Sequence, residues 1–585
     1  MKKTLLEVVI ASLFAASLTF AQTSTASQPA PAADAPDSVL ADTPFRNPSL
    51  PIAQRVDDLV SRMTLQEKAE QMIHVAPAIP RLGIPAYNWW SEGLHGVANT
   101  GYATVFPQAI GMAASFDRDL LRTEAAVIAT EFRAKYNEEL REKGYSEWFH
   151  GLTVWSPNIN IFRDQRWGRG QETFGEDPFL AAKMGVAFVT GLQGDNPQYL
   201  QALSTPKHFA VHSGPESTRH VADVPVSNHD LEDTYLPAFR ATLLAGAGSV
   251  MCAYNSVDGK PACAQPRLLQ EHLRDDWDFH GYVVSDCGAA TDIFRNHHYA
   301  ETMPEGMADA VKAGMDIVCT WPVQDVKTDS AAIVAAVQQG LLPEADVDRA
   351  VRRLFTARLK LGMFDPPGGV PYTTIDISQS DTERNRALAL TAARETLVLL
   401  KNENNLLPLG TRYTNIAVVG PNADSVNSLV GNYNGTPSHP VTVLAGIRKR
   451  FAGSNVFYSE GSSLTGPPVT PVPAKFLKDD SGGPGFSAEY FQGLDLQGVP
   501  VIKRTDEAVN FVWEDGPAPQ LKSNFSVRWT GTLVPPTSGD YEVGFSGTGS
   551  FHIWLEINSS GTSISLIPGR PRPKRSTSKP GTPIQ

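Results

Sequence analysis

The sequence predicts a multidomain α/β protein built on a (β/α)8-type barrel, with a second α/β region and then an all-β region behind it. Three observations predict this. From about residue 85 to 320, short apolar runs end in polar clusters and are followed by helix-like stretches. After the stop Phe364-Asp365-Pro366-Pro367 a second, shorter strand-and-helix pattern begins. From about residue 486 apolar and polar residues alternate, with Pro and Gly turns between the runs. At 585 residues the chain exceeds what one core organises, so two to four domains are expected.

The N-terminus opens with Lys2 and Lys3, then an apolar run over 8–20 and a small-residue cleavage site at Thr19-Phe20-Ala21. Residues 1–21 are therefore expected to be a signal peptide, despite Glu7, which makes the protein secreted or periplasmic. Residues 22–50, rich in Ala, Pro, Ser and Asp, read as a leader or linker. No later run approaches the ~20 apolar residues of a membrane span, so no membrane insertion is expected. Between Arg55 and Met72 apolar residues recur at helical spacing, and Thr64 with Glu67 has capping-box spacing, which splits the stretch into two helices.

Strand-like runs then lead into polar residues five times. Leu152-Thr-Val-Trp155 precedes Asn158 and Asn160, and Leu200 to Leu203 precedes Lys207-His208. Ser249-Val-Met251 precedes Tyr254-Asn255, Tyr282-Val-Val284 precedes Ser285-Asp286, and Met315 to Val318 precedes Cys319-Thr320. Polar residues at strand ends are what a barrel with its site at the C-terminal strand face requires. A doubly wound sheet is the alternative. The barrel domain is assigned to 51–365, closing with helical residues 331–363 that Pro343 interrupts, and 366–394 to a linker. Strand-like 395–400 and 416–419 place a second α/β domain at 395–466. Its turn Gly420-Pro421-Asn422 lacks G-x-G-x-x-G, and Pro421 has no N–H for a phosphate, so nucleotide binding is not expected. Residues 467–485 form a linker, 486–557 the all-β region, and 558–585 a Pro/Ser/Thr-rich tail without acidic or aromatic residues, expected to be disordered. The alternating pattern stops at Leu555, and the expectation is a truncated or frameshifted chain, with a natural disordered tail as the alternative.

Hydrophobic residues are 42% and charged residues 19%, as in soluble globular proteins. The 50 basic and 62 acidic side chains give a net charge of -12, which disfavours nucleic acid and anionic membranes and fits a neutral substrate such as a sugar. Four cysteines, Cys252, Cys263, Cys287 and Cys319, permit disulfides in an exported chain. Three connectivities are open; Cys252 and Cys263 flank a Gly-containing turn and could close a short loop, with Cys287 and Cys319 then able to form a second bridge, and four free thiols are the alternative.

Asp286 is the leading candidate nucleophile: a carboxylate directly after an apolar strand, poised to attack an anomeric carbon. Lys207 and His208 at another strand end suit charge-assisted bonds to sugar hydroxyls. His208 and His212 have i,i+4 spacing, but with no H-E-x-x-H and no evident third ligand a metal site is not expected. The loop 163–170 supplies arginines, Arg169 among them, to orient hydroxyls or form a structural ion-pair network. Tyr87-Asn-Trp-Trp-Ser-Glu92 joins aromatic faces, suited to sugar rings or to simple packing, to a carboxylate.

Four stretches in order resemble glycoside hydrolase family 3, in its β-xylosidase-like branch, over roughly 51–466: Tyr87 to His95, Trp167 to Glu172 with Gly175-Glu-Asp177, Lys207 to His212, and Val283 to Cys287. The resemblance implies a barrel followed by part of an α/β sandwich domain, a retaining mechanism, and no cofactor. Asp286 matches the nucleophile; Glu92, Arg169, Lys207 and His208 match residues gripping the nonreducing-end sugar, with Arg219, Met251 and Tyr254 as further lining. Glu92 and Cys287, where many β-glucosidases of the family carry Asp and Trp, favour xylosides, with β-glucosidase the alternative. The substrate implied is an oligosaccharide or aryl β-glycoside. The region 486–557 resembles part of a protective-antigen-type (PA-fourteen) domain, inserted in the sandwich of such enzymes and incomplete here. The family's acid/base is a glutamate beyond that insert, and none is located. His220 is the fallback, matching the acid/base histidine of the family's N-acetylglucosaminidase branch, but with Thr218 where that branch has Asp. A carbohydrate-binding fragment without turnover is the rival reading.

Overall fold

The computed structural model describes residues 4–12, 43–322, 326–410, 412–462, 471–511, 513, 516–521, 524–537, 540–545, 550–556 and 563–566. The chain divides into two compact units, one over 28–418 and 422–457, the other over 1–27, 419–421 and 458–585.

The larger unit alternates short strands with helices. Capping decides its first turns: Thr64 and Glu67 form a reciprocal capping box that separates the helices Ile52–Ser61 and Leu65–Gln71. Tyr282–Ser285 lies parallel to Ser249–Cys252, and that strand parallel to Lys207–Phe209. Thr153–Val154 is parallel to Leu203–Ser204, so the second predicted strand runs later than expected. Parallel bridges join Asn158 to Lys207, Ser91 to Val154, Val284 to Ile317 and Val318 to Ile73, while Val75–Ala76 pairs antiparallel with Tyr87–Asn88. Neighbour thus follows neighbour around a circuit of strand ends. The strand residues are buried on both faces, which requires helices such as Arg118–Lys143, Pro178–Gln193 and Glu344–Lys360 to cover them. Pro343 stands as N-cap of the last, the break that the sequence shows.

One expectation fails beyond this point, and one segment is more ordered than its sequence suggests. The presumed linker 366–394 contains the helix Glu383–Glu395, capped by Thr382. Its one buried residue is Ala392, so it carries too little apolar periodicity to be recognised. The strand-like run 395–400 is not a strand: Glu395 ends that helix, and Leu397 and Leu400 are 80% and 92% exposed. A β-branched or leucine-rich run becomes a strand only against a neighbour that takes its backbone bonds, and no such neighbour stands among the described residues.

In the smaller unit Phe486–Gln492 pairs antiparallel with Ile502–Asp506 and with Phe525–Leu533. Its core is Phe486, Tyr490, Phe525, Val527 and Trp529 around a buried carboxylate. Asp506 accepts from Trp529 Nε1 at 2.7 Å, Tyr490 Oη at 2.6 Å and Arg504 Nε at 2.6 Å, which is why it tolerates burial. The alternation around Tyr541 and Phe551 is realised as Asp540–Val543 and Ser550–Glu556, whereas Phe511 and Trp513 lie outside any strand. Ser563–Leu566, in the tail expected to be disordered, pairs parallel with Asp540–Val543; the rest of that tail lies outside the described residues. Thr4–Ser12, from the expected signal peptide, forms a strand antiparallel to Phe525–Leu533 and Ser550–Glu556. Its Val8-Val9-Ile10 run has the β-branched composition of a strand. The cleavage site around Ala21 lies outside the described residues.

Glu124, on Arg118–Lys143, is buried with Oε1 unpartnered among the described residues. Burial, then the charges of Glu395 and Asp117, holds its carboxyl well above its ordinary 4.5. A raised acid binds its proton more tightly folded than unfolded, so stability is full below the ordinary carboxyl range and falls as pH rises above it, by at most about 1.4 kcal/mol per pH unit. Glu124→Gln is expected to flatten this fall between pH 5 and neutrality in urea melts; parallel pH profiles for both proteins would contradict it.

Candidate active site

Asp286 follows Tyr282–Ser285, and its surroundings fix it from the backbone outward. Its N–H donates to Cys252 O at 3.0 Å, and Gly288 N–H donates to Cys319 O at 2.9 Å. Both acceptors are half-cystines: Cys252 is bonded to Cys263, and Cys287 to Cys319. Cys287 N–H donates to Asp286 Oδ1 at 2.8 Å. Oδ2 accepts no hydrogen bond among the described residues and lies 3.4 Å from His208 Nε2.

The state of His208 explains that bare oxygen. Asn160 Oδ1 accepts from His208 N–H at 2.9 Å and Asn160 Nδ2 donates to His208 O at 2.9 Å, so the backbone fixes which way the amide points. His208 Nδ1, 2.8 Å from the same Oδ1, must therefore carry the proton. Burial first, then the charge of Arg169, holds His208 well below its usual range, so the ring is neutral. Nε2 then presents a lone pair to Asp286 and donates nothing to it.

Two ion pairs line the same strand ends. Lys207 Nζ donates to Glu92 Oε1 at 2.9 Å and Oε2 at 2.8 Å, and Trp90 Nε1 donates to Oε1 at 3.2 Å. The side chains of Lys207 and Glu92 are 1% and 2% exposed. Burial pushes the Glu92 carboxyl up, against the pull of the Lys207 ammonium. Arg169 grips Glu172 with two bonds, at 2.9 Å and 2.8 Å. Burial opposes both charges, but each overrides it for the other: Arg169 stays well above and Glu172 below its ordinary value. Trp90 stacks on Trp155 at 5.4 Å and abuts Trp148 and Phe149, an aromatic wall beside Glu92.

Met251 is buried on the strand beside Lys207, and Tyr254 Oη donates to Cys287 O at 3.1 Å. Arg219 pairs with Glu216 and lies over the Tyr254 ring at 5.3 Å. Every residue singled out from the sequence thus lies on this set of strand ends and loops. His220 has a carboxylate partner after all: Nδ1 is 2.7 Å from Asp292 Oδ2, on the helix Ala289–Arg295 that follows Asp286. The family resemblance predicts this partner two residues away, at Thr218, whereas it lies 72 residues later, at Asp292. Tyr433 was missed altogether. Its ring lies 5.1 Å from Lys207 Nζ, and neighbouring Asn432 donates to Glu172 Oε1 at 3.1 Å. The cluster Gly431-Asn-Tyr-Asn-Gly435 was the available signal. Among the described residues no group of three His, Cys, Asp or Glu side chains gathers as metal ligands, and no helix is long and apolar enough to cross a membrane.

Residues 53–357 match the Glycosyl hydrolase family 3 N terminal domain, and residues 397–527 the Glycosyl hydrolase family 3 C-terminal domain. A xylan 1,4-beta-xylosidase of Xylanibacter ruminicola is 42% identical over 521 residues, 88% of this chain and 60% of that protein. Among solved structures, a family 3 exo-beta-xylosidase in complex with a xylobiose aziridine activity-based probe superposes with a TM-score of 0.67 at 34% identity, covering 73% of this chain and 55% of that one. A β-glucosidase from Erythrobacter marinus gives 0.63 at 32% identity, covering 73% and 60%. The chain spans less than two thirds of the length of each of these proteins.

Removing one member of a buried ion pair strands the other. Lys207→Met is expected to destabilise the larger unit by about 3–5 kcal/mol, and Lys207→Met with Glu92→Met to recover most of that loss. Thermal and urea melts compare the two; a double variant no more stable than the single one would show that the pair is not the source of the cost.

Proposed function

The chain belongs to glycosyl hydrolase family 3, and on that premise we propose that it is a retaining, exo-acting β-glycosidase that releases nonreducing-end xylose from β-xylosides. The observation that carries the proposal is the bare Oδ2 of Asp286, held by Cys287 N–H on its other oxygen and facing a neutral His208. In this reading Oδ2 attacks the anomeric carbon as the glycosidic bond breaks, giving a glycosyl ester that water then hydrolyses. Glu92, Lys207, Arg169 and His208 hold the sugar hydroxyls, and Arg219, Met251 and Tyr254 line the pocket. The circuit of mainly parallel strand neighbours supports a (β/α)8-type barrel, with the strands' C-terminal ends carrying the site. The two disulfides support an exported, secreted or periplasmic protein, and the antiparallel sheet of the smaller unit supports a protective-antigen-type module that assists sugar binding.

The contact between His220 and Asp292 favours a second assignment, with His220 as proton donor to the leaving group. A carboxylate on Nδ1 fixes the orientation of the ring, as a positioned proton donor needs. β-Glucosidase activity is the alternative substrate reading. Glu92 supports the xyloside reading: its longer side chain leaves less room for a hexose hydroxymethyl group than Asp would.

Incubation with a 2-deoxy-2-fluoro-β-xyloside carrying a dinitrophenyl leaving group is expected to add one fluoroxylosyl group to the peptide containing Asp286, read by intact mass and peptide mapping. That leaving group departs without an acid. No adduct from it or from the fluoroglucoside, on folded protein, would turn the reading toward a carbohydrate-binding protein without turnover. His220→Ala is expected to lower kcat/KM on xylobiose by ~10²-fold or more while sparing the dinitrophenyl xyloside. Equal losses on both substrates would make His220 structural.

A further inference from the structure

We propose that Asn432 is a positioning residue of the sugar grip, brought to the strand ends by the segment 431–436 to fix the Glu172 carboxylate that aims Arg169. The role rests on the glycosidase reading, whereas the contacts behind it stand without that reading. The segment is built for close approach. Thr436 N–H donates to Gly101 O at 3.1 Å, Ala103 N–H to Thr436 O at 3.2 Å, and Asn99 N–H to Asn434 O at 3.1 Å. Gly435 permits the contact, since a Cβ there would lie 2.5 Å from Val97 O. The loop it meets is fixed in turn by Lys135, whose Nζ donates to Thr100 O and Tyr102 O, both at 2.8 Å. Asn432 thus arrives on a backbone pinned at Asn434 and Thr436.

Each oxygen of the buried Glu172 carboxylate receives one arginine N–H and one amide N–H. Oε1 takes Arg169 Nε at 2.9 Å and Asn432 Nδ2 at 3.1 Å. Oε2 takes Arg169 Nη2 at 2.8 Å and Asn158 Nδ2 at 3.2 Å. Asn158 is itself held, because its Oδ1 accepts from Asn160 N–H at 3.1 Å. Two amides on separate segments therefore bracket the carboxylate and set its plane. The guanidinium follows that plane, since the two-bond contact is a planar fork.

Arg169 spends Nε and Nη2 on Glu172, while Nη1 makes no hydrogen bond among the described residues and serves a sugar hydroxyl in the glycosidase reading. Without Asn432, Oε1 keeps only Arg169, and the carboxylate is free to tilt toward Asn158 and carry the fork with it. Asn432 is exposed where Glu172 is buried, so replacing it removes no core packing. The charged groups around this carboxylate are Arg169, Lys207 and Glu92.

The test uses the full chain with Asn432→Leu and Asn432→Asp, read by KM and kcat on an aryl β-xyloside, xylose affinity by calorimetry, and thermal melts. Asn432→Leu is expected to raise KM and the xylose Kd together by about tenfold, with kcat and Tm nearly unchanged, as for a lost hydrogen bond to a charged group that serves binding alone. Asn432→Asp separates the hydrogen bond from the shape. Beside Glu172 the new carboxyl keeps its proton above the ordinary Asp range, since like charges disfavour ionisation, and while protonated it donates to Oε1 as the amide does. The ratio of its KM to that of the unmodified protein is expected to lie near unity at about pH 4 and to climb toward tenfold by about pH 8. Unmoved KM and Kd in Asn432→Leu, or an Asn432→Asp ratio as high in acid as at neutrality, overturns the positioning role. A fall in Tm with equal losses in kcat and affinity makes the residue structural and overturns it too. Unmodified protein that neither binds xylose nor hydrolyses the xyloside overturns the glycosidase reading and this role with it, before any variant is compared.

Discussion

The site exists because two cations and two carboxylates are kept out of water together. An isolated buried charge is ruinous, and a buried pair survives only where geometry is close and the remaining lone pairs are occupied. Lys207 meets both oxygens of Glu92 while Trp90 takes a further bond, and Glu172 receives Arg169, Asn158 and Asn432. Those partners come from segments far apart in sequence. They meet only if parallel neighbours hold their register, since a slip of one residue would turn Lys207 away from Glu92.

The same constraint leaves one oxygen of Asp286 bare. Asn160 spends its carbonyl on the backbone and ring of His208, which decides the tautomer, which in turn leaves Asp286 Oδ2 without a donor. A proton on His208 Nε2 would blunt that oxygen. The neutral ring follows from burial among cations, so the arginine and lysine that suit sugar hydroxyls also keep the histidine uncharged.

Much of this was legible in the chain. Apolar runs ending in Asp286 and in Lys207 and His208 announce strand ends with chemistry on them, because a buried parallel strand must be apolar until it reaches the polar rim. Partnership across the fold was not legible. Asp292 as the partner of His220 depends on where a helix lands, and Tyr433 on how a later segment returns, and neither is encoded in local spacing. The run at 395–400 misled for the opposite reason. Its composition is that of a strand, but composition cannot supply the neighbour. Ile502–Asp506 escaped notice because three of its five residues are charged, and the inward face carries Asp506 and a half-buried Ile502 instead of an apolar row.

The disulfides beside Asp286 carry a practical corollary for anyone handling the protein. Cys252, Cys263 and Cys319 are at most 1% exposed and Cys287 is 8% exposed, so a thiol reagent reaches the Cys287 bridge first. That bridge anchors the peptide N–H on Asp286 Oδ1 and the carbonyl that takes Tyr254 Oη. Dithiothreitol added as a routine preservative would loosen the Asp286 carboxylate before it loosened the surrounding helices, and a preparation could keep its circular dichroism while that carboxylate lost its anchor.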